Sequence, residues 1–237
     1  MAVPELSVVI LCYRAEDFAP VFVAQMKRIL EQKSIDYELV LVANYHRGAA
    51  DRTPAIVREL ARDDPRLTVV AREKEGMMGW DMRSGFAAAR GRAVAVIDGD
   101  GQMRPEDIIA VYDVLRSGAY DLAKTYRKER RDGFRRLLIS RVYNAVLKTL
   151  FPRVRVRDAN GKPKIITRDA LQRMHLTSDD WFIDAEIILE ASRLGLRIGE
   201  VPTVFLTNPR RPSFIKVDAI LEFARNLLVY RLKTLWR

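Results

Sequence analysis

Apolar residues in the first 125 positions fall into two kinds of stretch. LSVVILCY (6–13), YELVLVAN (37–44), LTVVA (67–71), AVAVID (93–98) and YDLAKTY (120–126) are short and largely apolar, without strict alternation. That is the pattern of strands buried on both faces. Between them, APVFVAQMKRILEQ, TPAIVRELARDD, WDMRSGFAAARG and PEDIIAVYDVLRSG carry apolar residues at helical spacing. Prolines near several starts and glycines after several ends fit helix punctuation. Such alternation predicts an α/β fold with a mostly parallel central sheet and helices on both faces. In sheets of that kind ligands bind beyond the carboxyl ends of the strands.

After residue 126 the pattern changes. YRKERRDGFRRLLISRVYNAVLKTLF opens as a basic loop and becomes an amphipathic helix over 134–150. GKPKIITR reads as a strand entering a turn, DDWFIDAEIILEASRLG as a helix ending at Gly195, and LRIGEVPTVFL as a further strand. SFIKVDAILEFARNLLVYRLKTLWR is a C-terminal amphipathic helix. No repeat, low-complexity tract or Pro/Gly/Ser-rich linker divides the chain. The expectation is one domain over 1–237, with a ligand-binding half (1–125), an acceptor-side half (126–212) and the terminal helix (213–237).

Charge narrows the partners. The 237 residues carry a formal net charge of +10 with 49% hydrophobic content, which suits polyanions such as nucleotides and lipid head groups. No aromatic-plus-basic platform for stacked bases is evident, which argues against nucleic acid. Cys12 is the single cysteine, so no internal disulfide forms, and its apolar surroundings read as a buried small hydrophobe. His46 and His175 are too far apart in the chain to suggest a histidine-rich zinc site. The N-terminus lacks signal-peptide features, and no apolar run approaches the ~18 residues that span a bilayer. A cytoplasmic chain, free or held at a membrane surface, is expected.

The chemistry concentrates at AVAVIDGDGQMRPEDI, where a buried strand ends in Asp98 and Asp100 with Gln102 behind them. Two like charges at a strand exit call for compensation. A divalent cation would supply it, since hard cations take oxygen ligands, often one or two carboxylates plus substrate phosphates. A solvated turn is the other reading.

These segments together resemble the inverting family 2 glycosyltransferases of the GT-A fold, especially their polyprenyl-phosphate, dolichol-phosphate mannose synthase-like branch. LSVVILCYRAED is similar to the opening strand and nucleotide-binding turn, which implicates Tyr13, Arg14 and Glu16. YELVLVANYHRGAADRT resembles the second strand with its Asp-x-Thr ending, Asp51 and Thr53; Asn44 stands where the family often has a carboxylate. GMMGWDMRSGFAAARG resembles the segment passing the diphosphate, with Gly76; it lacks the usual lysine, so Arg83 or a C-terminal cation would meet that group. DGDGQMRPEDI is similar to the family's D-x-D-x-Q, which implies Asp98, Asp100 and Gln102 on Mg²⁺ or Mn²⁺ and Asp100 as a catalytic group. KTYR followed by RRLLISR resembles the acceptor-phosphate loop and nominates Arg127, also as a catalytic group, with Arg136 and Ser140. RDANGKPKIITR is similar to the segment near the sugar, with Asp158 and Lys164. The late RRPSFIK matches loosely and offers Arg211, Ser213 and Lys216.

The resemblance implies transfer of a sugar from a nucleotide-diphosphate donor to a polyprenyl phosphate, whose oxygen is already anionic and needs no base. A hydroxyl acceptor would need a carboxylate to take its proton. Asp184 is then the first candidate, with Asp180 and Glu186 behind it; all three also fit the acidic start of a helix. In the terminal helix Val217, Ile220, Leu221, Ala224, Leu228, Leu232 and Leu235 form one stripe flanked by Lys216, Arg225, Arg231, Lys233 and Arg237. That suits core packing or a peripheral helix on an anionic membrane's inner face. A small membrane partner subunit could take over those contacts. A basic membrane-surface protein without activity would explain the charge but leave the strand-end carboxylates unexplained.

Overall fold

The computed structural model describes residues 2–130, 144–206 and 225–232. Seven strands form one sheet: β1 (Leu6–Leu11), β2 (Tyr37–Val42), β3 (Leu67–Val70), β4 (Ala93–Asp98), β5 (Leu122–Arg130), β6 (Lys164–Thr167) and β7 (Ile198–Phe205). Their spatial order is β3-β2-β1-β4-β6-β5-β7. The β1–β2, β2–β3, β1–β4 and β5–β7 pairs are parallel, whereas β6 runs antiparallel to both β4 and β5. The expected mostly parallel sheet is therefore present, with one reversed strand, β6, between β4 and β5 joining the two halves of the chain.

The helices are α1 (Phe18–Gln32), α2 (Thr53–Ala61), α3 (Met78–Ala88), α4 (Asp107–Arg116), α5 (144–150), α6 (Arg168–Arg173), α7 (Ile183–Arg193) and α8 (225–232). Residues 134–143, 213–224 and 233–237 of the two expected amphipathic helices lie outside the described residues. Because side chains alternate across a strand, the apolar runs feed two cores. Val8, Ile10, Leu39, Leu41, Ala95 and Ile97 pack with Phe22, Met26 and Leu30 of α1 and Ile108 and Val111 of α4. Val9, Val40, Val94, Val96 and Ile166 pack on the opposite face with Met82 and Phe86 of α3 and Ile183 and Ile187 of α7. Cys12 is buried, and burial pushes its thiol up to about 12. A third cluster joins Leu147, Phe182, Ile188 and Leu227, which seats α5 and α8 against α7.

This arrangement opens the C-terminal ends of β1, β2 and β4 toward one edge. The turn after β1 holds Arg14 at φ +53° and Glu16 at φ +43°, a left-handed conformation that is costly for side-chain-bearing residues. It is tethered from outside. The Glu16 amide donates to Thr53 Oγ1 at 2.9 Å, and that hydroxyl donates to Asp51 Oδ1 at 2.5 Å. Asp51 Oδ1 also accepts the Thr53 amide, so the Asp-x-Thr pair ties the β1 turn to the start of α2.

Candidate active site

Asp98 ends β4 and keeps 24% of its side chain exposed. Asp100 and Gln102 follow in a turn, both half-buried, with Asp100 Oδ1 accepting the Gln102 amide at 2.9 Å. The Gln102 carbonyl accepts the Leu206 amide at 3.0 Å, which brings the chain after β7 beside the turn. Asp98, Asp100 and Gln102 are thus partly exposed at the strand tip.

Behind it lies a buried ionic network. Lys162 Nζ, on a side chain only 3% exposed, donates to Asp98 Oδ1 and Oδ2 at 2.9 and 3.2 Å and lies 3.4 Å from Asp184 Oδ2. Lys164 Nζ donates to Asp184 Oδ1. Burial disfavours charge on Asp184, but the two lysines outweigh it and hold its carboxyl below the ordinary range. Lys164 is pushed down to about 8, chiefly by burial, with Asp184 opposing the shift and Lys124 and Lys162 adding to it. Lys124 stands directly opposite Lys164 in the β5–β6 register and is itself wholly buried. Its ammonium donates to the Thr125 and Asp158 carbonyls and faces Glu200 at 3.4 Å. Arg127 makes a two-pronged contact with Asp158, Nε to Oδ2 at 2.5 Å and Nη2 to Oδ1 at 2.7 Å. Burial opposes that carboxylate's charge, yet the Arg127 hydrogen bond and charge hold Asp158 well below the usual range. Arg127 sits where the β5–β7 register shifts, a bulge that re-aims the strand. Lysines are almost never fully buried unless paired, and here each has a carboxylate partner.

Sequence expectations fare unequally. Asp98, Asp184 and Lys164 are brought together through Lys162, and Asp158 pairs with Arg127 nearby, but Asp158, Lys164 and Asp184 are buried, Lys164 and Asp184 facing each other. Asp184 is 3% exposed and its carboxylate is engaged by two ammonium groups, so it anchors β6 to α7 rather than standing open to take a proton. Glu186 accepts the amides of Thr177 and Ser178, and Asp180 accepts the Phe182 amide and Asn226; both shape turns.

Asn44, expected at the nucleotide, is 1% exposed. Its amide donates to Asp81 and Ser84, and its carbonyl accepts the Arg72 amide. Asp81 of α3, itself buried, also pairs with Lys74. Lys74 Nζ lies 4.4 Å from the Tyr13 ring centroid, and Tyr13 meets His46 edge-on at 6.1 Å. A lysine thus reaches the region from just before GMMG, a residue the motif match did not single out. Arg83 is tied to the Thr177 carbonyl and Asp179 instead of turning to the strand tip. Asp51 uses Oδ1 for Thr53, while Oδ2 is buried without a hydrogen-bond partner. Arg136, Ser140, Arg211, Ser213 and Lys216 lie outside the described residues.

Gly76 and Gly79 fit α3 against the 178–180 segment. A Cβ on Gly79 would lie 2.3 Å from the Ser178 carbonyl and 2.7 Å from that of Asp180, both backbone atoms. Gly79→Ala is expected to destabilise the fold by about 1–3 kcal/mol, the cost of overpacking, read as a lowered urea midpoint at unchanged slope.

Among the described residues no group of three or more His, Cys, Asp or Glu is arranged to hold a metal ion. The donor set nonetheless suits a half-site for Mg²⁺ or Mn²⁺. Asp100 and Gln102 offer hard oxygens at the open tip, to be completed by substrate phosphates. Asp98 already accepts an ammonium on both oxygens.

A parallel α/β half, a reversed central strand and carboxylates at the tip of β4 define the GT-A class of glycosyltransferase fold. Glucosyl-3-phosphoglycerate synthase from Mycobacterium tuberculosis, solved with Mn²⁺, uridine-diphosphate and phosphoglyceric acid, superposes with a TM-score of 0.72 over 96% of this chain and 78% of that one, at 20% identity. The family model for glycosyl transferase family 2 matches residues 7–181, and the chain belongs to that family. It is 24% identical to the dolichyl-phosphate beta-glucosyltransferase ALG5A of Trichomonas vaginalis over 94% of this chain and 72% of that protein. It is 30% identical to the glycosyltransferase AglD of Haloferax volcanii over 65% of this chain, but spans only 26% of that protein. An undecaprenyl-phosphate 4-deoxy-4-formamido-L-arabinose transferase of Pectobacterium carotovorum is 29% identical over 62% of this chain and 44% of its own length.

Proposed function

We propose that this chain is an inverting glycosyltransferase that moves a sugar from a nucleotide-diphosphate donor to a polyprenyl phosphate at a membrane surface. The observation that carries the acceptor class is the state of Asp184. A hydroxyl acceptor needs a base of matched pKa within reach of its proton, whereas the Asp184 carboxylate is buried, lowered and paired to two lysines. A phosphate acceptor arrives deprotonated. Relatives named for dolichyl-phosphate and undecaprenyl-phosphate transfer support the same class.

On this reading the β1 turn, with Tyr13, Arg14 and Glu16, receives the nucleotide beside Lys74, and Asp51 fixes the turn's shape. Asp100 with Gln102 would hold a divalent cation, which neutralises the departing diphosphate when bound. Arg127, kept in place by Asp158, presents positive charge at the acceptor side, where Arg136 and Ser140 would join it. Lys164 and Asp184 stiffen the floor beneath the sugar, so that donor and acceptor meet in line. Among the described residues no helix is long and apolar enough to cross a membrane. On α8, Leu228 and Leu232 are more than half exposed beside Arg225 and Arg231, which suits reversible attachment to anionic lipid.

The test is a thermal-shift screen of nucleotide sugars with and without Mn²⁺, followed by transfer of the stabilising donor's sugar to a short polyprenyl phosphate in vesicles of mixed neutral and anionic lipid. Expected are a Mn²⁺-dependent shift with one donor class, transfer to the lipid phosphate, and co-sedimentation with vesicles that weakens as salt rises. Transfer to soluble hydroxyl acceptors with none to the lipid would overturn the acceptor assignment.

A further inference from the structure

The acidic tip of β4 contains a cation that the chain carries with it. Lys162 sits two residues before β6, on a side chain 3% exposed, and all of its acceptors are internal. They are both Asp98 oxygens at 2.9 and 3.2 Å, Asp184 Oδ2 at 3.4 Å and Met78 Sδ at 3.1 Å. Burial works against the ammonium, but Asp184 and Asp98 outweigh it and raise its pKa.

A metal ion sharing the Asp98 carboxylate would face this fixed charge across a few ångströms. Like charges that close in a partly buried site repel strongly, and a divalent ion doubles the repulsion. Lys162 therefore removes Asp98 from the ligand set and makes it part of the wall.

We propose that Lys162 is a positioning residue that neutralises Asp98 and ties it to Asp184, so that divalent cations bind here strongly only when a nucleotide diphosphate supplies the remaining charge. The inference rests on the donor-site reading above and adds an order to it: metal arrives with nucleotide, not before it. A merely structural lysine would not make metal binding tighter on removal, whereas this one is expected to.

The test measures Mn²⁺ alone, by the paramagnetic resonance signal of the free ion, against the full chain without nucleotide. Lys162→Met frees Asp98 to join Asp100, so Mn²⁺ affinity is expected to rise at least tenfold over the unsubstituted protein. In the double variant Lys162→Met with Asp98→Asn a neutral pair replaces a neutral pair, and affinity is expected to stay within about threefold. The double variant also guards against misfolding of the single one, because it leaves no unmatched charge at that contact. Unchanged or weaker binding by a folded Lys162→Met protein, or a tenfold loss in the double variant, would overturn the proposal. Asp100→Asn separates the two levels of argument. If it keeps Mn²⁺ binding, both with and without UDP, the donor-site reading itself fails. If it loses binding while the Lys162 variants behave as unsubstituted protein, only the role of Lys162 fails.

Discussion

Asp184→Asn is expected to lower the melting temperature by about 10 °C. The substitution keeps the side chain's size and removes the charge that Lys162 and Lys164 share. Breaking a buried ion pair by removing one partner typically costs 3–5 kcal/mol, because it strands the other charge away from water. In a chain of this size each kcal/mol moves the midpoint by roughly 2–4 °C. The deficit has a pH signature. Lys164 is held near 8 in the folded state, below its unfolded value of ~10.4, and losing Asp184 lowers it further. A folded-state pKa below the unfolded one means that the unfolded chain binds more protons between the two, so stability rises with pH across that window. The gap between variant and parent is therefore widest near neutrality and narrows toward pH 10. Circular-dichroism melts at pH 7 and pH 10 measure both quantities. An equal midpoint for variant and parent at pH 7 would show that the network is not what joins β6 to α7. Replacing Lys164 by Met in the Asp184→Asn background is expected to restore part of the loss, as coupled neighbours do in a double-mutant cycle.

The largest effect on activity is expected at the tip of β4. Asp100→Asn keeps an oxygen that accepts the Gln102 amide and removes only the charge. If metal-assisted departure of the diphosphate is the chemistry, turnover falls by roughly 10²–10³, the usual cost of deleting one preorganised stabiliser of transition-state charge. The fold is barely touched, since substitutions outside the core stay within about 0.5 kcal/mol. Steady-state transfer at saturating donor and Mn²⁺, beside a melting curve, checks both halves. A variant with parental turnover would remove the metal from the mechanism. The contrast between the two aspartates is informative: one is expected to cost stability, the other rate.

Much of this arrangement was legible because burial on both faces leaves a plain mark. The runs at 6–13, 37–44, 67–71 and 93–98 had to be apolar throughout, and the strands β1 to β4 fall inside them. The strand at 164–167 was readable as a strand, but its reversed place between β4 and β5 is not written in its own four residues. The six-residue α6, capped by Thr167, is too short to show a helical period. At the site, D-x-D-x-Q marked the strand tip, whereas nothing in the local sequence singled out Lys162 between a glycine and a proline. Its partner Asp98 is 64 positions away, so no local pattern could couple them. The same holds for Asn44 and Asp81, 37 positions apart. Asn44 was expected at the ligand because its position was visible and the carboxylate that claims it was not.

The reversed central strand also bears on how the protein is made. On the ribosome β4 is complete about 65 residues before β6 emerges to cover its free edge. At ordinary rates of synthesis, 5–20 residues per second, that edge stays open for several seconds. Unpaired, strongly apolar edges are templates for pairing with other chains. A nascent chain stopped near residue 125 would therefore present its most adhesive surface beside unfinished donor-site carboxylates, and its safe passage depends on the later half arriving in time.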